Sequence, residues 1–140
     1  MLRMSTMRAA RYSQVGPAAS VLSVDQIPIP KPGPNQVRVK VAFSGINPTD
    51  VKNRAGSAAW DMADFQIPHQ DGSGVIDIVG ANVDPARIGE RVWIMLSAFD
   101  NVYGTAAEYC IVDVANVRPL PENADLELGA TLGVPAVTAT

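Results

Sequence analysis

Histidine and cysteine are almost absent from this sequence, since each occurs once among its 140 residues. The single cysteine, Cys110, excludes an intramolecular disulfide and a thiolate metal cluster built within the chain, and it fits a reducing compartment. No apolar run approaches the roughly 20 residues that span a bilayer, and Met1 to Thr6 lack the apolar core of a secretory signal. We therefore expect a cytoplasmic protein with no membrane partner.

Clusters of positive charge are missing as well. The 11 lysines and arginines are mixed with 14 acidic residues, and the formal net charge is −3. A nucleic-acid partner is not expected, because such proteins neutralise several phosphates with clustered basic side chains. A glycine-rich dinucleotide fingerprint is also missing: Gly72-Ser73-Gly74 has two of its glycines and precedes a strand rather than a helix.

What the chain does contain predicts a mainly β domain. From Gln36 to Ser44, the apolar residues Val37, Val39 and Val41 alternate with polar ones, which is the period of a half-buried strand. Similar short segments are separated by Gly and Pro turns, a spacing typical of a small barrel or sandwich. These segments are Met7 to Tyr12, Val21 to Gln26, Gly74 to Val79, Arg91 to Leu96 and Ala107 to Asp113.

Short helical turns are expected beside the strands. Pro48 can begin a turn over Thr49 to Arg54 that Gly56 ends, since proline suits the first helical position and glycine the position after the last. Asp125 to Leu132 has the composition of a short helix. The domain should therefore be a β structure with little helix.

Several further segments follow one another in an order known from one superfamily. They are Met7 to Ala10, Pro30 to Lys40, Gly45 to Asp50, Pro68 to Gly80, Ile88 to Val92, Gly104 to Tyr109, Pro119 to Pro121 and Gly133 to Ala139. Together they resemble the N-terminal GroES-like domain of the medium-chain dehydrogenase/reductase superfamily, close to its zeta-crystallin-type quinone oxidoreductases and its enone reductases. The resemblance implies a mainly β, GroES-like, partly open β-barrel with a few short helical turns.

The resemblance also implies a division of the chain into three parts. We expect residues 1–6 to be a disordered leader, residues 7–125 to form the GroES-like catalytic-side domain, and residues 126–140 to begin the crossing to a Rossmann domain. That second domain would hold the cofactor phosphates at a helix N-terminus, beyond this chain. The surface that faces it should be apolar, and apolar surfaces favour self-association, here as a homodimer.

The same resemblance argues against zinc. Zinc alcohol dehydrogenases of the superfamily carry a cysteine where this chain has Asn47, and a Gly-His-Glu element where it has His69-Gln70-Asp71. The ligand histidine thus falls on Gln70, whereas catalytic zinc takes three N, S or carboxylate ligands. No metal site is predicted. His69 is interpreted as a surface or loop residue and Cys110 as a buried packing residue.

A reaction without zinc needs hydride from a nicotinamide and a group that stabilises the developing oxyanion. Enone reductases of the superfamily have an Asn-Pro-x-Asp-x-Lys pattern that matches Asn47 to Lys52 here, whereas zeta-crystallin-type members usually have tyrosine at Lys52. The resemblance implies that Lys52 and Asn47 are catalytic and contact the cofactor, and that Thr138 lies near the nicotinamide. Trp60 and Phe65 could form an apolar lip for a flat substrate, with core or surface packing as the alternative.

Each polar assignment also has a structural alternative. Lys52 could be a solvated lysine of the helical turn, and Asn47 could serve only to cap that turn. Asp50 is expected to orient Lys52 or its local backbone, and Asp71 to brace the entrance of its strand. These alternatives predict no contact with a cofactor or a substrate.

The sequence therefore predicts the substrate-side domain of an NADPH-dependent, zinc-independent reductase of small quinones or α,β-unsaturated ketones, with this chain inactive on its own. Two other classes stay open: a free-standing GroES-like binding module without catalysis, and a relative of the zinc alcohol dehydrogenases. The motif from Asn47 to Lys52, together with Thr138, favours the enzyme, because a pure binding module has no reason to keep both.

Overall fold

The computed structural model describes residues 4–57 and 61–140 of the chain. In this part of the chain the strands are β1 (Thr6–Arg11), β2 (Ser23–Pro28), β3 (Gln36–Gly45), β4 (Asp71–Val79), β5 (Arg91–Ile94), β6 (Tyr109–Asp113) and β7 (Val117–Pro119). The helices are α1 (Ala18–Val21), α2 (Pro48–Ala55), α3 (Leu126–Gly129) and α4 (Val134–Ala139). Residues 1–3 of the predicted leader lie outside the described residues, as does Trp60.

The strands form two antiparallel sheets. β1 pairs with β2, and the larger sheet has the strand order β6-β3-β4-β5-β7. An isolated bridge between Ala9 and Ala107 joins β1 to the segment before β6. No sheet closes on itself among the described residues. The predicted fold class, a mainly β and partly open barrel with short helical turns, is confirmed.

The alternation predicted along β3 buries one face of that strand. Val37 and Val39 have no exposed surface, whereas Arg38 between them turns away and binds the Asp77 carboxylate at 2.8 to 3.2 Å. Because β3 pairs with β4 on one side and β6 on the other, its valines occupy the middle of the main core. The buried members of that core are Val37, Val39, Ile76, Val83, Val92, Ile94, Cys110, Val112 and Val117.

The helices begin and end at residues whose chemistry suits helix termini. Asn47 precedes the first turn of α2, Pro48 occupies its first position, and Gly56 ends it with a φ of 89°, a left-handed value that favours glycine. Asp125 caps α3, since its Oδ1 accepts from Leu128 N at 2.8 Å. None of the described helices is long and apolar enough to cross a bilayer.

The first two strands pair antiparallel, but the connection between them contains a short helix where only a turn was expected. Pro17 precedes the short helix α1, and β2 then runs from Ser23 to Pro28 rather than from Val21 to Gln26. Pro28 can belong to β2 because it is the last residue of that strand and pairs with Thr6, the first residue of β1. The two-stranded sheet therefore begins one residue before the expected Met7.

Candidate functional site

The end of β3 and the start of β4 meet where α2 begins. The register pairs Gly45 with Asp71, which brings the Asn47 motif beside the His69-Gln70-Asp71 segment. Gly45 leaves no room for a side chain, because a Cβ there would lie 2.5 Å from the carbonyl oxygen of Ala130. The segment between α3 and α4 therefore packs directly on the end of β3, and three distant parts of the sequence meet at one place.

Asp71 holds these three parts together. Its side chain is buried, and its Oδ2 accepts a hydrogen bond from Asn47 Nδ2 at 2.8 Å. Both carboxylate oxygens also lie 3.0 Å from the backbone N–H of Val134, the first residue of α4. Gly133 leaves space for this contact, since a Cβ there would lie 2.2 Å from Asp71 Oδ1. One carboxylate thus positions Asn47 and anchors α4 by charge-assisted hydrogen bonds.

Asp50 fixes the backbone at the start of α2. Its Oδ2 accepts from the backbone N–H of Asn47 at 2.7 Å, which is one half of the capping box that the helix forms. The prediction that Asp50 orients Lys52 or its local backbone is met by the backbone contact. Asn47 is therefore held twice, by Asp50 through its backbone and by Asp71 through its side chain.

Burial raises the pKa of both carboxyl groups above the usual value. For Asp50, the nearby charge of Asp71 adds to this effect, whereas hydrogen bonds from the backbone of Asn47 and Gln70 oppose it. For Asp71, hydrogen bonds from Asn47 and from the backbone of Val134 oppose the effect of burial. The site therefore combines two carboxyl groups whose ionised forms are less favourable than at the surface.

Lys52 lies on the exposed side of α2. Its side chain makes no hydrogen bond or ion pair with the described residues. It follows Asn47 by five positions, which is about 140° around the helix axis. The structure therefore brings Asn47 into the Asp71 network and leaves the Lys52 ammonium free to meet a group outside the described residues.

Thr138 lies on α4, one turn after the residue that Asp71 anchors. Its side chain is exposed, as is that of Val137 beside it. Because Val134 is tied to Asp71 and Asp71 to Asn47, the helix that carries Thr138 is connected to the start of α2. The predicted contact of Thr138 with a nicotinamide stays a prediction.

Of the two predicted substrate contacts, Trp60 lies outside the described residues. Phe65 packs in the second hydrophobic cluster, which surrounds Met7, Ala9, Ile27 and Ile67. The ring of Phe65 meets the ring of Tyr103 edge to face at 6.1 Å, and Arg11 lies 5.4 Å from its centroid. Both contacts hold the Phe65 ring in place, which suits the structural alternative for this residue and leaves substrate contact a prediction.

His69 begins a chain of hydrogen bonds that crosses from the loop before β4 to the end of β3. Its Nδ1 lies 2.8 Å from Ser44 Oγ, which in turn lies 2.7 Å from Thr105 Oγ1. Thr105 donates to the backbone oxygen of Asp71 at 2.6 Å. Burial lowers the pKa of the imidazole. His69 lies in a loop, in line with its interpretation from the sequence, and its backbone there is left-handed, with a φ of 82°.

The side chains at the positions of the zinc ligands do not fit zinc. Asn47 offers an amide whose Nδ2 donates to Asp71, and Gln70 Oε1 accepts from the backbone N–H of Ala98 at 3.1 Å. Cys110 lies in the main hydrophobic core, away from these two positions, and burial raises the pKa of its thiol to about 12. The described part of the chain contains no group of three or more His, Cys, Asp or Glu residues that could hold a metal ion.

Comparison with known proteins identifies the fold that carries this site. The family model for the alcohol dehydrogenase GroES-like domain matches residues 33–122, which is more than half of the chain. The chain belongs to this family. The resemblance predicted from the ordered segments is therefore confirmed.

Relatives of this GroES-like domain include reductases. It is 33% identical over 133 residues to a quinone oxidoreductase of Rattus norvegicus, a match that covers 95% of the chain and 39% of the relative. A trans-enoyl reductase of Gibberella fujikuroi is 34% identical over 135 residues, covering 96% of the chain and 38% of the relative. The structure of the quinone oxidoreductase from Coxiella burnetii matches with a TM-score of 0.84 and 26% identity, over 96% of this chain and 43% of that one. The domain thus spans about two fifths of the length of these proteins.

Two contacts of this GroES-like domain were not predicted from its sequence. One is the contact of Asp71 with Val134, and the other is the chain from His69 through Ser44 to Thr105. Each joins residues from segments far apart in the sequence, so no spacing rule reveals them. Both contacts depend on the register of the sheet and on the loops around it.

Proposed function

We propose that this GroES-like domain is the substrate-side part of a longer, zinc-independent reductase that uses NADPH to reduce small quinones or α,β-unsaturated ketones. One observation carries the proposal. Asn47, which the resemblance assigns to catalysis, is held by the same carboxylate that anchors the start of α4, at 2.8 and 3.0 Å. In the proposed division, residues 7–125 form this domain and residues 126–140 begin the crossing to the cofactor-binding domain.

The polar groups at this place suit a nicotinamide. Asn47 has an amide that can both donate and accept, and it is held rigidly, which favours the positioning of a planar ring. Lys52 and Thr138 are exposed on the two helices that the Asn47–Asp71–Val134 contacts connect. We propose that these three residues hold the nicotinamide end of NADPH, which supplies the hydride when it is bound.

Lys52 has the chemistry that the reduction requires from the protein. Negative charge develops on the carbonyl oxygen of the substrate as the hydride arrives, and an ammonium group stabilises it best in a site from which water is excluded. The exposed Lys52 is available for this, since it makes no ion pair with the described residues. We propose that Lys52 donates to the substrate oxygen, with Trp60 and Phe65 beside the flat substrate.

The exposed apolar residues near this site support a further domain rather than an isolated module. Ile46, Val51 and Val137 are 69, 48 and 56% exposed, and they lie on the segments that meet at Asp71. A surface of this kind normally faces another domain or a second subunit. We therefore propose that the 140-residue chain is inactive alone, and that the longer protein is cytoplasmic and forms a homodimer.

The test is NADPH oxidation by the longer protein, with an α,β-unsaturated ketone and a quinone as acceptors. We expect Lys52→Ala to lower kcat/KM for the ketone about a hundredfold, which is the usual effect of losing one oxyanion contact. The matched control is Lys31→Ala, since Lys31 is also exposed but lies in the proline-rich connector. Equal kinetics of both variants would show that Lys52 is a solvated surface residue without a catalytic role. Absence of turnover in all of the proteins would favour the binding module.

A further inference from the structure

The direction of each hydrogen bond in the His69 chain follows from its last member. A backbone carbonyl can only accept, so the single hydroxyl proton of Thr105 points at Asp71 O, 2.6 Å away. Ser44 lies 2.7 Å from Thr105 and must therefore donate to it. The hydroxyl proton of Ser44 is then used, and the remaining contact, 2.8 Å to His69 Nδ1, needs its proton from the imidazole.

This assignment settles which nitrogen of the neutral imidazole is protonated. Burial lowers the pKa of His69, so the neutral ring predominates at neutral pH. In that ring Nδ1 carries the proton, and Nε2 has the lone pair. The ring makes no other hydrogen bond to the described residues. Every fully buried side-chain nitrogen or oxygen among these residues has a hydrogen-bond partner. The Nε2 atom must therefore reach solvent.

A small cavity beside α2 offers space for solvent next to His69. His69 lines this cavity together with Tyr12, Asp50, Asn53 and Gln66. Its volume of about 40 Å³ has room for a few water molecules, and it is too small for a quinone. The occupant that fits Nε2 is therefore water, which donates a hydrogen bond to the lone pair.

Proton uptake at Nε2 leaves the hydrogen-bond chain unchanged. The Nδ1–H bond to Ser44 is present in both the neutral and the protonated ring, so no side chain has to turn when the charge changes. The charged and titratable groups around the cavity are Tyr12 and Asp50 in its lining, with Asp71 next to Asp50 and Arg54 next to Tyr12. Of these influences, burial lowers the pKa of the His69 imidazole and so opposes the imidazolium.

We propose that His69 is a proton-exchange site, fixed in its Nδ1–H tautomer by Ser44 and Thr105, and that it exchanges a proton at Nε2 with water in the cavity beside α2. This inference rests on the proposed function, in which the site supplies the proton that the reduction consumes. A bound reduced nicotinamide would supply hydride, whose electron pair would form the new C–H bond at the β-carbon of the ketone. The C=C π pair would then shift towards the carbonyl carbon, and the C=O π pair would move onto the oxygen. That oxygen takes a proton from water, and water takes the proton released when the Nε2–H bond of the imidazolium breaks.

The tautomer is measured on the 140-residue chain itself. His69 is its only histidine, so long-range ¹H–¹⁵N correlation spectra of the labelled chain report on this ring without ambiguity. Above the imidazole pKa we expect a protonated Nδ1 and an unprotonated Nε2. In Thr105→Val, Ser44 has no hydroxyl to donate to and turns its proton to Nδ1, so the ring should switch to the Nε2–H tautomer. Thr105→Ser should restore the original form.

A wild-type ring protonated at Nε2, or a Thr105→Val variant that keeps the original tautomer in a folded chain, would overturn the proposal. The use of the proton is tested in the longer protein with His69→Asn, since asparagine tolerates the left-handed backbone and does not titrate. We expect kcat/KM for the ketone to fall by about a hundredfold and to lose its dependence on the imidazole pKa. An unchanged pH profile in His69→Asn would refute the role of His69 as the proton source. Absence of ketone reduction in the wild type would refute the proposed function, whereas the tautomer result would still hold.

Discussion

Replacing Asp71 by asparagine tests whether one carboxylate connects the start of α2 with the start of α4. The amide keeps one acceptor oxygen for two donors, Asn47 Nδ2 and Val134 N, and turns an NH₂ group towards one of them. Losing a hydrogen bond to a charged group costs about 1.5–3 kcal/mol. Because removal of a buried charge offsets part of this cost, we expect the free energy of unfolding to fall by about 2 kcal/mol. With roughly 2.1 cal/mol/K of unfolding entropy per residue over 140 residues, this lowers Tm by about 7 °C.

The assay is thermal and urea unfolding of the chain followed by circular dichroism. Asp64→Asn is the matched control, because Asp64 is exposed and the same change of charge should leave Tm almost unaltered. Amide exchange should also increase at Val134 in Asp71→Asn, since its N–H loses the carboxylate. Equal Tm values of the two variants, with unchanged exchange at Val134, would show that the Asp71 carboxylate does not connect the two helices.

Two further predictions concern buried titratable groups. Burial raises the pKa of Asp50, so its contribution to the free energy of unfolding is fully present below the usual carboxyl pKa and is lost as pH rises through the raised value. Asp50→Asn should therefore be less destabilising at pH 7 than at about pH 4 in urea titrations, and the opposite order would contradict the sign. Burial also raises the pKa of Cys110 to about 12, so a thiol reagent should label the chain only in denaturant; rapid labelling of the native chain would show an accessible thiolate.

Much of the fold could be predicted because it depends on local patterns. The alternation at Val37 and Val39 corresponds to the buried face of β3, and the pair of Pro48 and Gly56 corresponds to the bounds of α2. Such patterns follow from the geometry of one strand or one helix, without knowledge of its neighbours. The shift of β2 to Ser23–Pro28 was missed because α1 uses three residues of the expected turn and Val21, the first residue of the expected strand.

The site was predicted less completely, because its geometry depends on contacts between distant segments. The resemblance pointed to Asn47, and the structure adds that Asp50 and Asp71 hold it. Nothing near His69 in the sequence indicates Ser44 or Thr105 as its hydrogen-bond partners. Those contacts exist because the register of β3 and β4 brings Ser44 opposite Gly72, beside the loop that carries His69.

Turnover of the longer protein with and without a metal chelator, together with the zinc content of the same sample, distinguishes a zinc-independent reductase from a zinc enzyme. We propose that the site reduces a conjugated ketone or a quinone with NADPH and without zinc, since Asn47 and Gln70 make protein hydrogen bonds at the positions of the zinc ligands. We predict NADPH-dependent reduction that survives chelation, in protein that holds no stoichiometric zinc. One zinc ion per chain and loss of turnover on chelation would instead place the protein with the zinc alcohol dehydrogenases.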